Sequence, residues 1–147
     1  VSRDLSVHIR RLRPVDYPAV LALARSSGLP LRPRGRESRA AFGRQLRSNR
    51  AWYLGAFDGP RLVGIVLGTH DSRKGWINRL AVHPSYRRRG IARRLVRACE
   101  DALRRQGIEI FAALVEPDNT GSAAFFRSLG YETTRMTYAR RKLRPSI

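Results

Sequence analysis

The sequence predicts a mixed α/β fold, a sheet of antiparallel and parallel strands flanked by helices. Two observations carry this. Apolar segments at 51–58, 61–70 and 76–84 follow one another across short turns, the economical pattern of an antiparallel meander. A long amphipathic helix comes next, then another apolar segment, and such a strand–helix–strand unit pairs its strands in parallel by a right-handed crossover.

The elements follow in order. Residues 6–12, "SVHIRRL", alternate as a first strand with Val7 and Ile9 on one face. Pro14 ends it, and "PVDYPAVLALARSSG" reads as a helix with Asp16 near its N-cap and Gly28 at its stop. "LPLRPRGRES" is a loop, followed by a short helix over 37–48. "AWYLGAFD" and "RLVGIVLGTH" are strands joined by the turn Asp58-Gly59-Pro60, and "DSRKG" turns into the strand "WINRLAVHP". From Gly90 to Gln106 the stripe Ile91, Leu95, Cys99 and Ala102, with Val96 and Leu103 beside it, marks a helix. Its polar side carries Arg93, Arg94, Arg97, Glu100, Asp101, Arg104 and Arg105, with Glu100/Arg104 and Asp101/Arg105 spaced to pair. Cys99, on the stripe, reads as a core residue. "IEIFAALV" is a buried strand, "PDN" a turn, 120–128 a last helix closed by Gly130, and a final strand lies within 131–143.

At 147 residues with 42% hydrophobic side chains, the chain fits one globular domain over 1–147. The net charge is +19, which attracts anions such as nucleic acid, acidic lipid, acidic peptides or a polyphosphate cofactor. Only Lys74 and Lys142 among the 30 basic residues are lysines, and that skew follows equally from a GC-rich genome. With Cys99 alone and with His8, His70 and His83 far apart, neither a disulfide framework nor a metal site is expected. No apolar run approaches a membrane span, so the expectation is a soluble cytoplasmic protein.

The chemistry centres on "VHPSYRRRGIARRLV", residues 82–96. Arg87-x-x-Gly90-x-Ala92 stands between a strand and the start of the long helix. A helix N-terminus presents unpaired N–H groups and partial positive charge, and small residues there let an anion reach the backbone. Read alone, Arg87 to Arg89 are a solvated basic turn; the strand–turn–helix context favours a pyrophosphate site.

The assembly resembles the GCN5-related N-acetyltransferase (GNAT) superfamily. Its first mark, Gln/Arg-x-x-Gly-x-Gly/Ala after an apolar strand ending in x-Pro, reads here "LAVHPSYRRRGIA". Its second, Asn-x-x-Ala-x-x-Phe-Tyr-x-x-x-Gly-Phe/Tyr, reads "NTGSAAFFRSLGY", Asn119 to Tyr131. The order of elements matches along the whole chain, and the likeness is greatest to small bacterial single-domain members, YpeA-like and ribosomal-protein N-acetyltransferase-like. The resemblance implies a mixed six- to seven-stranded sheet, about four helices, and a cofactor held between two splayed parallel strands.

It also implies roles. Acetyl-CoA would be the cosubstrate, without a metal, and the acceptor an amine. The backbone of Leu80, Ala81 and Val82 would pair with the pantetheine arm, and an N–H there would polarise the thioester carbonyl. The N–H groups of Arg88, Arg89, Gly90, Ile91, Ala92 and Arg93, with Arg87 beside them, would hold the pyrophosphate. Asn119, Ser122 and Phe126 would line the arm, although Asn119 is equally a helix N-cap. Where many relatives carry a tyrosine that protonates the leaving thiolate, this chain has Phe126. Tyr131 and Tyr138 are substitutes, or the thiolate leaves unassisted, since a thiol's reference pKa is about 8.5. Some relatives place a catalytic glutamate where this chain has Leu114. Glu116, two residues on, is therefore the candidate base; the alternative is an ion-pair partner for one of the arginines. Asp71 and Glu37 flank the acceptor cleft as further candidates.

Arg32, Arg34, Arg36 and Arg39 in one loop and its flank would repel a polyamine or aminoglycoside and favour an acceptor bearing carboxylates or phosphates, with a peptide N-terminus near acidic residues as first choice. The rival readings are a non-catalytic CoA-binding module and a basic nucleic-acid-binding module; the latter lacks an aromatic-rich reading surface. Neither specific nucleic-acid nor membrane binding is expected, and the assembly is a monomer or a homodimer.

Overall fold

A computed structural model describes residues 6–147. The elements are β1 (Val7–Arg11), α1 (Tyr17–Ser27), α2 (Arg39–Arg47), β2 (Ala51–Asp58), β3 (Arg61–His70), β4 (Gly75–Val82), α3 (Ile91–Arg105), β5 (Phe111–Ala112) and α4 (Thr120–Ser128). The sheet order is β1-β2-β3-β4-β5, antiparallel through β4 and parallel between β4 and β5. The meander, the crossover helix and the four helices match the expectation from sequence. Among the described residues no helix is long and apolar enough to cross a membrane.

One core lies on each face of the sheet. Ile91, Leu95, Cys99 and Leu103 of α3, with Phe126 and Leu129, cover Val63, Val66 and Ile77. On the other face Tyr17, Val20 and Leu23 of α1 and Phe42 of α2 cover Tyr53, Ile65 and Leu67. The α3 stripe is thus buried as its spacing requires. Cys99 is fully buried, and burial pushes its thiol up to about 12, so it stays protonated.

Helix α3 approaches β3 closely because Gly68 has no side chain. A Cβ there would collide with the Cys99 sulfur. Gly68→Ala is expected to cost about 1–3 kcal/mol by overpacking, and Cys99→Ala in the same chain to recover most of it. Denaturant midpoints of both singles and the double check this; equal losses with and without Cys99 would place the strain elsewhere.

The chain enters α1 through a 3-10 turn, Pro14–Asp16, fastened by Asp16. Its carboxylate accepts two hydrogen bonds from the Arg10 guanidinium, at 2.9 and 3.1 Å, and one from the Arg13 N–H at 2.7 Å. Burial alone would raise its pKa, but the Arg10 and Arg13 hydrogen bonds and charges outweigh this and hold it below the ordinary value. A lowered folded-state pKa contributes stability that is full above the unfolded value and lost as pH falls through the folded one. Asp16→Asn is therefore expected to lower stability at neutral pH by about 2 kcal/mol and to flatten the acid limb of a stability–pH curve. Parallel limbs in the two proteins would remove Asp16 from that account.

Several expectations from sequence are corrected. Among the described residues the sheet has five strands, not six or seven. The segment 108–115 is a strand only at Phe111–Ala112, because β4 and β5 pair only as Gly75 with Phe111 and Trp76 with Ala112 and then part. No strand forms within 131–143. Beyond Ala112 there is no ladder edge for it to join, neither side-chain parity of the segment is apolar, and Met136 and Tyr138 lie exposed. On α3 the ion pairs are Arg97–Glu100 and Arg104–Asp101, three residues apart rather than four. Glu100 is not on the solvated side: it is 3% exposed and also accepts the Tyr131 hydroxyl at 2.5 Å.

Candidate active site

The site is built on an irregularity in β4. Ala81 pairs with Ile65 and Asn78 with Leu67, so Arg79 and Leu80 together oppose the single residue Val66. The extra residue is Arg79, whose φ is 57°, a left-handed conformation uncommon for a non-glycine residue. The bulge reverses the side-chain alternation. Ile77, Leu80 and Val82 pack towards α3, whereas Ala81 joins the core under α1 and α2. Asn78 and Arg79, adjacent in sequence, both open into a cleft on the α1–α2 side.

That cleft has a volume of about 370 Å³. Its floor is aromatic, with Phe42 packed between Tyr17 and Tyr53 at centroid distances of 5.4 Å on each side. Burial pushes the Tyr53 phenol up to about 12, so it stays neutral. The loop 29–38 closes one wall. The Tyr17 hydroxyl donates to the Glu37 carbonyl at 2.7 Å, and the Glu37 carboxylate accepts the Arg32 N–H at 2.7 Å. Glu37 also pairs with Arg79 and, at 3.4 Å, with Arg36. Arg79 further donates to the Pro30 carbonyl at 3.1 Å, which ties β4 to this loop.

Past Trp76, β4 has β3 along one edge and no strand along the other. Leu80, Ala81 and Val82 lie on this open stretch. Val82 leads through a 3-10 turn, Pro84–Tyr86, into Arg87 to Gly90. Arg88 and Gly90 are both left-handed, with φ 64° and 80°. Backbone that alternates in this way turns successive N–H groups to one side, a concavity suited to an anion. The first helical bond of α3 runs from Arg94 N–H to the Gly90 carbonyl at 3.0 Å, so the N–H groups of Ile91, Ala92 and Arg93 have no acceptor within the helix. Arg87 donates to the Val82 carbonyl at 3.3 Å, and the Arg89 guanidinium lies 4.9 Å from the centre of the Tyr86 ring.

The remaining residues singled out in the sequence lie in several places. Asn119 caps α4, its side chain accepting the Ser122 N–H at 3.0 Å. Phe126 is buried between Phe125 and Tyr131, at centroid distances of 5.2 and 5.1 Å. Tyr131 is committed to Glu100, and burial, with that carboxylate, drives its phenol well above the usual range. Tyr138 borders the cleft. Glu116 is exposed, on irregular chain rather than on a strand face shared with Leu114, and its carboxylate forms no ion pair among the described residues. Asp71 accepts the Lys74 and Arg73 N–H groups at 2.8 and 2.9 Å, which lower its pKa and make it a poorer base. Glu37 is in the cleft but already holds two guanidiniums.

Asn78, Arg79, Gln45 and Tyr53 were not singled out in the sequence. The one available signal is the polar pair Asn78-Arg79 inside "WINRLAV", which breaks the alternation of a strand and marks a bulge. Among the described residues no three His, Cys, Asp or Glu side chains gather as metal ligands would.

Comparison with known proteins gives one answer. The model of the acetyltransferase (GNAT) family matches residues 17–131. An acetyltransferase of Pectobacterium atrosepticum is 32% identical over 127 residues, 86% of this chain and 89% of that protein. One from Sodalis glossinidius is 31% identical over 126 residues, 86% of this chain and 87% of that one. Among solved structures, the PaiA N-acetyltransferase of Thermoplasma acidophilum, in complex with coenzyme A, has a TM-score of 0.80 at 22% identity, covering 90% of this chain and 94% of that one. The ribosomal-protein-S18-alanine N-acetyltransferase of Escherichia coli has a TM-score of 0.71 at 21% identity, covering 87% and 79%. The structural likenesses are of fold; the family match and the sequence relatives decide membership. The chain belongs to the GNAT acetyltransferase family.

Proposed function

We propose that this protein, as one domain over residues 1–147, transfers acetyl from acetyl-CoA to a primary amine by direct attack in a ternary complex. The observation that carries this is the parallel pair β4–β5, which opens after Trp76 and Ala112 beside the N-terminus of α3. An extended arm laid in that opening meets the free edge of β4 at Leu80, Ala81 and Val82. A pyrophosphate at its end meets the amides of Arg88, Arg89, Gly90, Ile91, Ala92 and Arg93, with Arg87 alongside. In this reading Asn119, Ser122 and Phe126 would line the arm on its other side. Acetyl-CoA supplies an activated acyl group; the chain supplies position and a backbone donor for the developing oxyanion.

Proton handling is the less furnished part. An amine near pKa 10 must lose a proton before attack, and Glu116 is the proposed base. Phe126 offers no proton, so the thiolate leaves unassisted or takes one from solvent or from Tyr138 at the cleft. Among family members the chain is grouped with the small bacterial single-domain kind, YpeA-like and ribosomal-protein N-acetyltransferase-like.

The test is thiol release from acetyl-CoA in the presence of single amines. Amine-dependent release with equimolar acetylated product supports transfer. Tight acetyl-CoA binding without release for any amine or peptide favours the CoA-binding module instead, a reading that the missing phenol at 126 makes specific.

A further inference from the structure

The cleft beside Asn78 and Arg79 has a charge pattern that its position alone does not require. Arg36, Arg79 and Arg140 line it, and among the described residues Glu37 is the one carboxylate in its walls. The surplus extends to the rim. Lys142 is half-buried there, and burial together with the charges of Arg32, Arg140 and Arg36 lowers its ammonium pKa. Arg79 behaves alike: burial first, then Arg36, lowers it. Cations are thus gathered at one opening faster than the chain neutralises them, although like charges repel by an amount that grows as water is excluded.

Arg79 reaches this place through a left-handed backbone conformation that is strained for a residue with a side chain. A cation needed only to hold the loop 29–38 could stand on regular chain. The guanidinium has five N–H donors, and Glu37 and Pro30 occupy only part of that fork. The side chains of Asn78, Gln45 and Tyr53 also border the cleft, and none of the three makes a hydrogen bond to another described residue. Phe42, Leu31 and Leu67 supply apolar wall between these polar groups. A volume of about 370 Å³ is at the small end of ligand pockets, the size of an amino acid or a dipeptide rather than of an oligosaccharide.

We propose that the acceptor is a small amine that also carries an oxyanion, a carboxylate or a phosphate. Arg79 and Arg36 grip the oxyanion, Arg140 closes over it, and the amine points along β4 towards Leu80. Glu37 sets the strength of that grip by occupying part of both guanidiniums. The same field turns away polyamines and other polycations. This rests on the acetyltransferase reading for the fate of the amine, but not for the binding of the oxyanion.

The experiment compares four amines of similar length with saturating acetyl-CoA: β-alanine, 2-aminoethyl phosphate, propylamine and 1,3-diaminopropane. At least one of the two oxyanionic amines is expected to exceed diaminopropane in kcat/KM by about 100-fold or more, and the better of the two identifies the oxyanion. Arg79→Gln is expected to reduce that value about 30- to 1,000-fold, the usual loss for a truncated charge-paired contact, and to reduce the propylamine value by a much smaller factor. Arg140→Gln, an exposed position where folding is not at risk, is expected to lose less. Glu37→Gln is expected to gain, by about tenfold in KM, because it frees guanidinium donors while an amide oxygen still accepts the Arg32 N–H. Equal use of diaminopropane or propylamine overturns the proposal, as does an Arg79→Gln loss of equal size for all four amines. A second arm is calorimetric titration with glutarate and with inorganic phosphate, without acetyl-CoA. Binding that weakens in Arg79→Gln and strengthens in Glu37→Gln supports the oxyanion site even if no amine is acetylated, in which case only the transfer reading falls. No binding of either anion, together with no preference among the amines, overturns the site itself.

Discussion

Gly90→Glu is expected to erase the thermal stabilisation that acetyl-CoA confers. A ligand bound only by the folded state adds about 2.7 kcal/mol at a concentration 100-fold above its Kd, which for a chain of this size is a rise of about 5–10 °C in Tm. The introduced carboxylate would enter the concavity formed by the amides at the start of α3, where the pyrophosphate is proposed to sit, and like charges there are strongly unfavourable. The substitution also has a structural cost. Gly90 has φ 80°, and a side chain there is strained although nothing lies within 4 Å of its Cβ. Gly90→Asn separates the two effects, because asparagine tolerates the left-handed conformation better than most residues and carries no charge. Both variants are expected to melt below the parent without ligand. Gly90→Asn is expected to keep most of the acetyl-CoA shift and Gly90→Glu none. A full shift in Gly90→Glu would place the cofactor elsewhere on the molecule.

The turn and helix start on which that proposal rests were legible in the sequence because their determinants are local. Gly90 and the arginines before it adjoin a strongly amphipathic helix, and a helix start is decided within a few residues. The three meander strands were legible for the same reason, each being an apolar run bounded by turn residues. What was not legible depends on partners far along the chain. Glu100 looked solvated because its spacing matched Arg104, yet the Tyr131 hydroxyl and Arg97 hold it inside. The run "IEIFAALV" carries enough apolar residues for a full strand, but pairing needs a neighbour, and β4 and β5 stay together only as far as Trp76 and Ala112. The bulge at Arg79 hid the cleft beside Asn78 and Arg79. By strict alternation Asn78 and Arg79 would face opposite sides of the sheet, and only the extra residue puts both on one side.

Glu116→Gln is expected to lower turnover most at neutral pH and progressively less above about pH 8. The acceptor amine is largely protonated at neutral pH, given a reference value near 10, and attack requires the free base. A carboxylate that removes this proton in the transition state is worth about 10²–10⁴-fold, and that benefit shrinks as solvent supplies the free amine. The parent's kcat is therefore expected to flatten at lower pH than the variant's, so the two profiles converge on the alkaline side. The structure removes the main alternative for Glu116, since its exposed carboxylate has no guanidinium partner among the described residues to lose. Both competitors are committed to other partners. Asp71 is held low by the Lys74 and Arg73 amides and has little affinity for a proton at neutral pH, and Glu37 already faces Arg79 and Arg36. A pH–rate profile of parent and variant with saturating acetyl-CoA and one good acceptor decides the matter. Profiles that coincide at every pH would leave the proton to bulk water. A uniform loss that does not vary with pH would make Glu116 a positioning residue for the acceptor, acting through contact rather than through proton transfer.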